Sequence, residues 1–185
     1  NENPQDVTET LSSVNSSWKK EKEDREKSQI FGLKTKLKNL ISDNFNILEW
    51  SPDETKILYV ATQSASLPLV ITPPMIGTNS TPQDRNIKKN FIYVYDTKED
   101  KNFKILDSIS NEIPLTWFTD SKHLIYVNEK KIIVMEYDGQ NKTTVYAGPF
   151  IDNYVFPWPD GSKIVMLTNL GNPDITPNLY TIGLK

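Results

Sequence analysis

The length, composition and charge of this chain already exclude several classes of protein. With 185 residues, 37% of them hydrophobic, the chain can bury the core of a domain, which excludes global disorder. A net charge of -3 without a basic stripe argues against nucleic-acid binding, and no apolar run approaches the ~20 residues that span a bilayer. The absence of cysteine and the single histidine exclude disulfides, thiolate catalysis and histidine-rich metal sites.

The first predicted element is a charged helix near the N-terminus. Residues 1–17 are polar and are expected to form a linker or a disordered tail. Residues 18–43 are predicted to be helical, because pairs such as Lys22 and Glu26 place opposite charges four positions apart. Either Ser16 or Ser17 is a suitable N-cap for this helix.

The stretch 30–41 within this helical segment has two readings. Its apolar residues fall at helical spacing, yet Leu33–Lys38 also alternates as a half-exposed strand does. Gly32 weakens the helical reading by about 1 kcal/mol. The helix is favoured, and the strand is retained as the alternative.

From residue 44 onward, short β-rich runs separated by turn residues predict an all-β domain. One segment recurs three times, at 48–60, 115–127 and 155–167, and each copy reads as strand, aspartate-centred turn and strand. The turn residues Asp120 and Asp160 are 40 positions apart. A period near 40 residues with about four short strands per unit is typical of β-propeller blades.

The fold class predicted for the chain is therefore all-β, a partial β-propeller with an N-terminal charged helix. We expect about three four-stranded antiparallel blades within residues 44–185. Their predicted ranges are 44–107, 108–148 and 149–185, with an insertion at 63–89. Trp50 and Trp117 are expected at equivalent positions, whereas in the third copy Pro157 takes that position and Trp158 follows it.

The repeats resemble the TolB-type (WD-like) propeller motif, which reads Trp-Ser-Pro-Asp-Gly-Lys before an apolar strand. The matching residues are Trp50–Asp53 in the first copy, Trp117 and Asp120 in the second, and Pro159–Gly161 with Lys163 in the third. The resemblance covers about residues 46–182 and implies a fold and a binding habit rather than one activity. It is a resemblance to the C-terminal blades of bacterial envelope-type propeller proteins, and so implies an extracytoplasmic or envelope-associated location.

Three blades are fewer than the four to eight of a closed propeller, so an open array would expose apolar faces and strand edges. Three explanations are open at this point. The chain is the C-terminal part of a propeller with further upstream blades, or two copies close a ring as a homodimer, or a segment such as Leu33–Lys38 covers the open face.

The insertion at 63–89 supplies the candidate contact surface. It joins the second and third strands of the first blade, and the family resemblance implies that it projects from the face where propellers bind partners. The predicted partner-binding residues are Leu67, Val70, Ile71, Pro73, Pro74, Met75 and Ile76. The alternative is that the insertion folds back over its own blade or over the open edge, since long loops are often but not always functional.

No pattern of residues indicates catalysis, a cofactor or a metal. Asp53, Asp120 and Asp160 recur once per repeat and are expected to shape turns, and His123 is expected to be an exposed polar residue. We therefore expect a non-enzymatic binding or scaffold module for protein or peptide partners. The alternatives are an accessory propeller domain of a larger hydrolase or peptidase, and a self-assembly module that closes a ring by dimerisation.

Overall fold

A computed structural model describes residues 8–76, 78–107, 115–151 and 154–184 of the chain. Two compact units are distinguished, residues 1–40 and residues 41–185. The elements, in chain order, are α1 Thr8–Phe31, α2 Thr35–Asn44, β1 Phe45–Trp50, β2 Lys56–Ala61, β3 Ala65–Ser66, β4 Asn86–Ile87, β5 Ile92–Asp96, β6 Lys101–Leu106, β7 Leu115–Trp117, β8 His123–Asn128, β9 Lys131–Glu136, β10 Thr143–Ala147, β11 Val155–Pro157, β12 Lys163–Thr168 and β13 Asn178–Gly183.

Helix α1 begins at Thr8, so residues 8–17 are helical and the prediction of a linker or disordered tail is wrong for them. The physical reason is that no glycine or proline interrupts Thr8–Phe31, so nothing stops the helix from extending. Ser16 lies inside the helix, where its hydroxyl donates to the carbonyl oxygen of Ser12 at 2.8 Å. The predicted N-cap at Ser16 or Ser17 is therefore wrong.

The helical stretch is interrupted around Gly32. There the N–H of Gly32 donates to the carbonyl of Ser28 at 3.2 Å and closes the last turn of α1. The chain becomes helical again at Thr35 and stays so to Asn44. The helix favoured for 30–41 therefore forms except at 32–34, and the strand at Leu33–Lys38 does not form. Across the described residues, no helix has a stretch long and apolar enough to cross a membrane.

Residues 41–185 contain three antiparallel sheets in succession. The first sheet has the order β1-β2-β5-β6, the second β7-β8-β9-β10, and the third β11-β12-β13. Strands β3 and β4 form a separate two-stranded ladder within the insertion. This mostly β arrangement with four-stranded antiparallel sheets is compatible with the predicted partial propeller. The third sheet differs from the prediction, because it has three strands in the described residues where four were expected.

Equivalent residues of the repeat occupy equivalent positions in the sheets. The last residue of the first strand pairs with the start of the second strand in each sheet, as Trp50 with Ile57, Trp117 with Leu124, and Pro157 with Ile164. The residue that follows then donates its N–H across the turn, as Ser51 to Lys56, Phe118 to His123, and Trp158 to Lys163. The predicted one-residue displacement of Trp158 is therefore confirmed by the strand register.

The sheets pack on one another through alternate residues of their strands. In β8, Leu124 and Tyr126 join a buried cluster with Leu58 and Val94 of the first sheet. The intervening residues of β8 join a second buried cluster with the third sheet. The second sheet is therefore covered on both faces, which explains why its strands are apolar without the polar alternation of a solvent-facing sheet.

The other face of the first sheet is closed within the described residues. Tyr59, Tyr93 and Tyr95 alternate with the residues that face the second sheet, and all three are fully buried. The ring of Phe45 stacks on Tyr59 with a centroid distance of 3.6 Å. The insertion also reaches this face, because the N–H of Lys88 donates to the hydroxyl of Tyr93 at 2.9 Å.

Candidate functional site

The insertion at 63–89 lies along the edge of its own sheet rather than projecting away from it. Strand β6 is the edge strand of the first sheet, and its residue Asn102 bonds to the insertion twice. The N–H of Asp84 donates to the carbonyl of Asn102 at 2.7 Å, and the side-chain amide of Asn102 donates to the carbonyl of Asp84 at 2.6 Å. These bonds satisfy part of an edge that would otherwise be open to other strands.

The buried carboxylate of Asp100 holds the middle of the insertion. One carboxylate oxygen accepts the backbone N–H groups of Val70 and Ile71 at 2.7 and 2.8 Å. The other accepts the hydroxyl of Tyr95 at 2.5 Å and the guanidinium of Arg85 at 3.0 Å. Hydrogen bonds to an ionised group are stronger than neutral ones, so this residue fixes the backbone of the loop at one point.

A second contact joins the insertion to the second sheet. The side chain of Asn79 donates to the hydroxyl of Tyr137 and to the carboxylate of Asp138, both at 2.9 Å. The hydroxyl of Thr81 donates to the same carboxylate at 2.6 Å. Burial raises the pKa of Asp138, but the hydrogen bonds from Thr81 and Asn79 outweigh it, and the pKa lies below its usual value. The insertion therefore clamps two neighbouring sheets.

The structure divides the predicted partner-binding residues into three groups. Leu67 is buried, with 3% of its surface exposed, so its prediction as a contact residue is wrong: its apolar side chain fills the protein's own core. Val70 and Ile71 are half-buried above Asp100. Pro73, Pro74, Met75 and Ile76 are exposed, and Ile76 is 100% exposed. We refer to residues 73–76 as the tip.

The repeated aspartates shape the turns, as predicted. The carboxylate of Asp53 accepts the N–H of Thr55, that of Asp120 the N–H groups of Lys122 and His123, and that of Asp160 the N–H of Ser162. At Asp120 burial raises the pKa, but these hydrogen bonds outweigh it and the pKa is lowered. Each carboxylate is thus used in its own turn, and the prediction of a structural role is confirmed.

Sequence reasoning missed a cavity of about 360 Å³ beside the second sheet. Its walls include Phe118, Asp120, His123, Val134 and Leu184. The Nδ1 atom of His123 lies 2.6 Å from a carboxylate oxygen of Asp120, so the histidine has a partner and is only half exposed. The signal available in the sequence was the three-residue spacing of these two side chains across one turn.

Comparison with known proteins finds one kind of similarity. No protein-family model matches this chain, and no curated protein sequence is significantly similar to it. Among solved structures, the chain is similar to an oligogalacturonate lyase in complex with manganese, with a TM-score of 0.43 and 16% sequence identity. The match covers 74% of this chain and 34% of that one, so this chain spans about a third of its length. In the described part of this chain, no three His, Cys, Asp or Glu side chains are grouped to hold a metal.

Proposed function

We propose that this chain is a non-catalytic binding module of the TolB-like propeller type, and that the tip contacts a protein or peptide partner. The observation that carries the proposal is the contrast between the two parts of the insertion. Its base is held by the Asp100 carboxylate at Val70 and Ile71, whereas the apolar tip, which begins two residues after Ile71, is exposed to solvent. The family assignment and an extracytoplasmic location belong to the same proposal and are supported by the motif at Trp50–Asp53.

The fixed base lowers the cost of ordering the loop on binding. Hydrogen bonds at Val70 and Ile71 hold the chain just before the tip, and the bond from Thr81 holds it just after. Pro73 and Pro74 further restrict the backbone dihedral angles between these points. A loop that is ordered before binding loses less conformational entropy in the complex, which favours affinity.

The chemistry of the tip indicates an apolar partner surface. Met75 and Ile76 are large apolar side chains that the fold leaves in water, and Met adapts its shape to irregular surfaces. No Lys, Arg, Asp or Glu occurs between Gln63 and Gln83, so the segment offers no charge for recognition. The partner proposed is therefore a protein or peptide with an apolar groove or patch, rather than a charged polymer.

The test combines crosslinking with affinity measurement. A photo-crosslinking amino acid is placed at position 76, and at position 170 in a matched control, because Leu170 is an exposed apolar residue of a different loop. The partner should crosslink from position 76 alone. Its affinity should then fall at least about tenfold for the double variant M75S/I76S, since two apolar contacts are lost.

Two results would overturn this proposal. One is a partner that crosslinks equally from positions 76 and 170. The other is unchanged affinity of the double variant, with circular dichroism showing that the variant is folded. Either result would mean that the exposed tip is not the contact surface.

A further inference from the structure

We propose that Met75, at the tip, is an oxidation site where a peroxide converts the thioether to a sulfoxide, and that this change weakens the apolar contact made by the tip. The effect on contact rests on the binding role proposed above, whereas the oxidation site itself does not. The chain contains no cysteine, so its side-chain sulfur atoms all belong to methionine. Oxidation at sulfur is therefore methionine chemistry in this chain.

The three methionines of the chain differ in how far solvent reaches them, and the structure describes all three. Met135 is 0% exposed in the cluster between the first and second sheets, and Met166 is 4% exposed in the cluster between the second and third sheets. Met75 is 50% exposed. Because an oxidant must reach the sulfur atom to react with it, the fold directs a peroxide to Met75 and shields the other two.

The neighbours of Met75 leave its side chain accessible in the native state. Pro73, Pro74 and Ile76 are also exposed, so Met75 lies within a run of four exposed residues. A small oxidant can reach this sulfur without any local unfolding. Reaction at the buried methionines requires the sheets to separate, and core elements open with free energies that approach the global free energy of unfolding.

The reaction is a two-electron oxidation of the Met75 sulfur. A sulfur lone pair attacks one oxygen of the peroxide, the S–O bond forms, and the O–O bond breaks. The proton of the transferred oxygen passes to the departing oxygen, which leaves as water from hydrogen peroxide or as an alcohol from an alkyl hydroperoxide. The sulfur is oxidised and the peroxide is reduced, so the peroxide is the co-reactant of the step.

The sulfoxide makes the tip polar at its centre. Methionine sulfoxide is a polar side chain, and burying a polar oxygen against an apolar surface without a hydrogen-bond donor costs free energy. The segment from Gln63 to Gln83 carries no charge, so the contact proposed for the tip depends on its apolar side chains. Oxidation of Met75 should therefore weaken that contact.

The fold itself should tolerate the oxidation, because the insertion is anchored on both sides of the tip. The Asp100 carboxylate holds the backbone just before the tip, and the Asp138 carboxylate holds Thr81 just after it. Oxidation of a buried methionine disrupts the core around it, whereas Met75 is half exposed. Met75 can therefore be oxidised, and reduced again by a methionine sulfoxide reductase, while the chain stays folded.

The first experiment locates the oxidation by peptide mass spectrometry and needs no partner. The folded wild type is treated with dilute hydrogen peroxide at neutral pH, and oxygen uptake by each methionine is followed over time. Met75 should react at least about tenfold faster than Met135 and Met166, and the three rates should converge in urea, where all are exposed. The matched control is M75L, an apolar replacement of similar volume, which should take up oxygen only at the slow rates of the buried methionines.

The second experiment measures the effect of oxidation on the tip. Retention of the wild type on a phenyl hydrophobic-interaction column should fall after peroxide treatment and return after treatment with a methionine sulfoxide reductase, whereas that of M75L should not change. The affinity of the partner captured from position 76 should follow the same pattern, with a loss of at least about threefold after oxidation of the wild type. Circular dichroism verifies that the oxidised chain is folded.

The two experiments separate this inference from the binding role. Equal oxidation rates of the three methionines in the folded chain, or rapid oxygen uptake by M75L, would overturn Met75 as the oxidation site. Unchanged column retention after complete oxidation of Met75 would overturn the effect on the tip. If M75S/I76S lowers partner affinity and oxidation does not, the oxidation effect is wrong while the binding role stands. If neither lowers it, the binding role is wrong, and mass spectrometry still decides the oxidation site.

Discussion

The hydroxyl of Thr81 lies 2.6 Å from the carboxylate of Asp138 and donates a hydrogen bond to it. Thr81 belongs to the insertion of the first sheet, and Asp138 to the turn between β9 and β10 of the second. The insertion is therefore part of the packing between two sheets as well as the carrier of the exposed tip. Changes at its anchors should affect stability and binding together, whereas changes at the tip should affect binding alone.

The first prediction concerns the Asp100 anchor. Replacing Asp100 by alanine removes the acceptor for the N–H groups of Val70 and Ile71 and leaves the guanidinium of Arg85 without its carboxylate. Breaking a buried ion pair from one side costs about 3–5 kcal/mol. The free energy of unfolding from urea denaturation should fall by about that amount.

The matched control for this anchor is D107N. Asp107 also pairs with a cation, Lys104, but both side chains are exposed, and such pairs contribute little to stability. Its substitution should leave the urea midpoint unchanged. If D100A and D107N behaved alike, Asp100 would not be an anchor of the insertion.

The second prediction concerns the stability of the fold at acid pH. The pKa of Asp138 is lowered in the folded chain, so its hydrogen bonds contribute stability above its unfolded pKa of about 3.9. That contribution is lost as the pH falls through the lower, folded pKa. The difference in unfolding free energy between wild type and D138N should therefore be largest near neutral pH and should shrink below about pH 4. A difference that stays constant down to the acid limit would contradict the role given to this carboxylate.

The third prediction compares two tryptophans of the repeat. Trp117 is buried in the cluster between the first and second sheets. Its replacement by alanine should lower the free energy of unfolding by about 3–5 kcal/mol. Trp158 lies one residue beyond the end of β11 and is half exposed. W158A should therefore lower the free energy of unfolding of the monomer by less than about 1 kcal/mol. Chemical denaturation at low protein concentration distinguishes the two. Equal losses of unfolding free energy in W117A and W158A would mean that Trp158 packs as Trp117 does.

The fourth prediction concerns salt. The segment from Gln63 to Gln83 is uncharged, so binding through the tip should not depend on electrostatic attraction. Raising the ionic strength from about 0.1 M to about 1 M shortens the Debye length from about 10 Å to about 3 Å. The affinity of the captured partner should stay within about a factor of three across this range. A steep loss of affinity with salt would place the contact on charged residues outside the tip.

The repeat could be predicted from the sequence because the interactions that form its turns and strand pairs are local in the chain. The aspartate of each turn bonds N–H groups two or three residues away, and the strands on either side pair across that turn. The displacement at Pro157 and Trp158 was visible for the same reason, since the register of a hairpin is set by its turn. The start of α1 was missed because polar residues without a breaker are compatible with both a tail and a helix.

The candidate site could be predicted only in part from the sequence. The sequence identified the insertion and its apolar residues, but it did not separate the buried Leu67 from the exposed Ile76, because both look like contact residues in a linear chain. The cavity beside His123 was also missed, since its walls come from strands and turns that are distant in sequence, such as Phe118 and Leu184.

The sequence alone determined that this chain forms successive small antiparallel sheets, because alternation and turn chemistry act over a few residues. Only the tertiary structure decided that the insertion returns to its own sheet, because that depends on Asp100, which lies 30 residues after Val70. It also decided which sheet face is buried and which is open. Burial of a face depends on the neighbour that packs against it, and two copies of one strand pattern can have different neighbours.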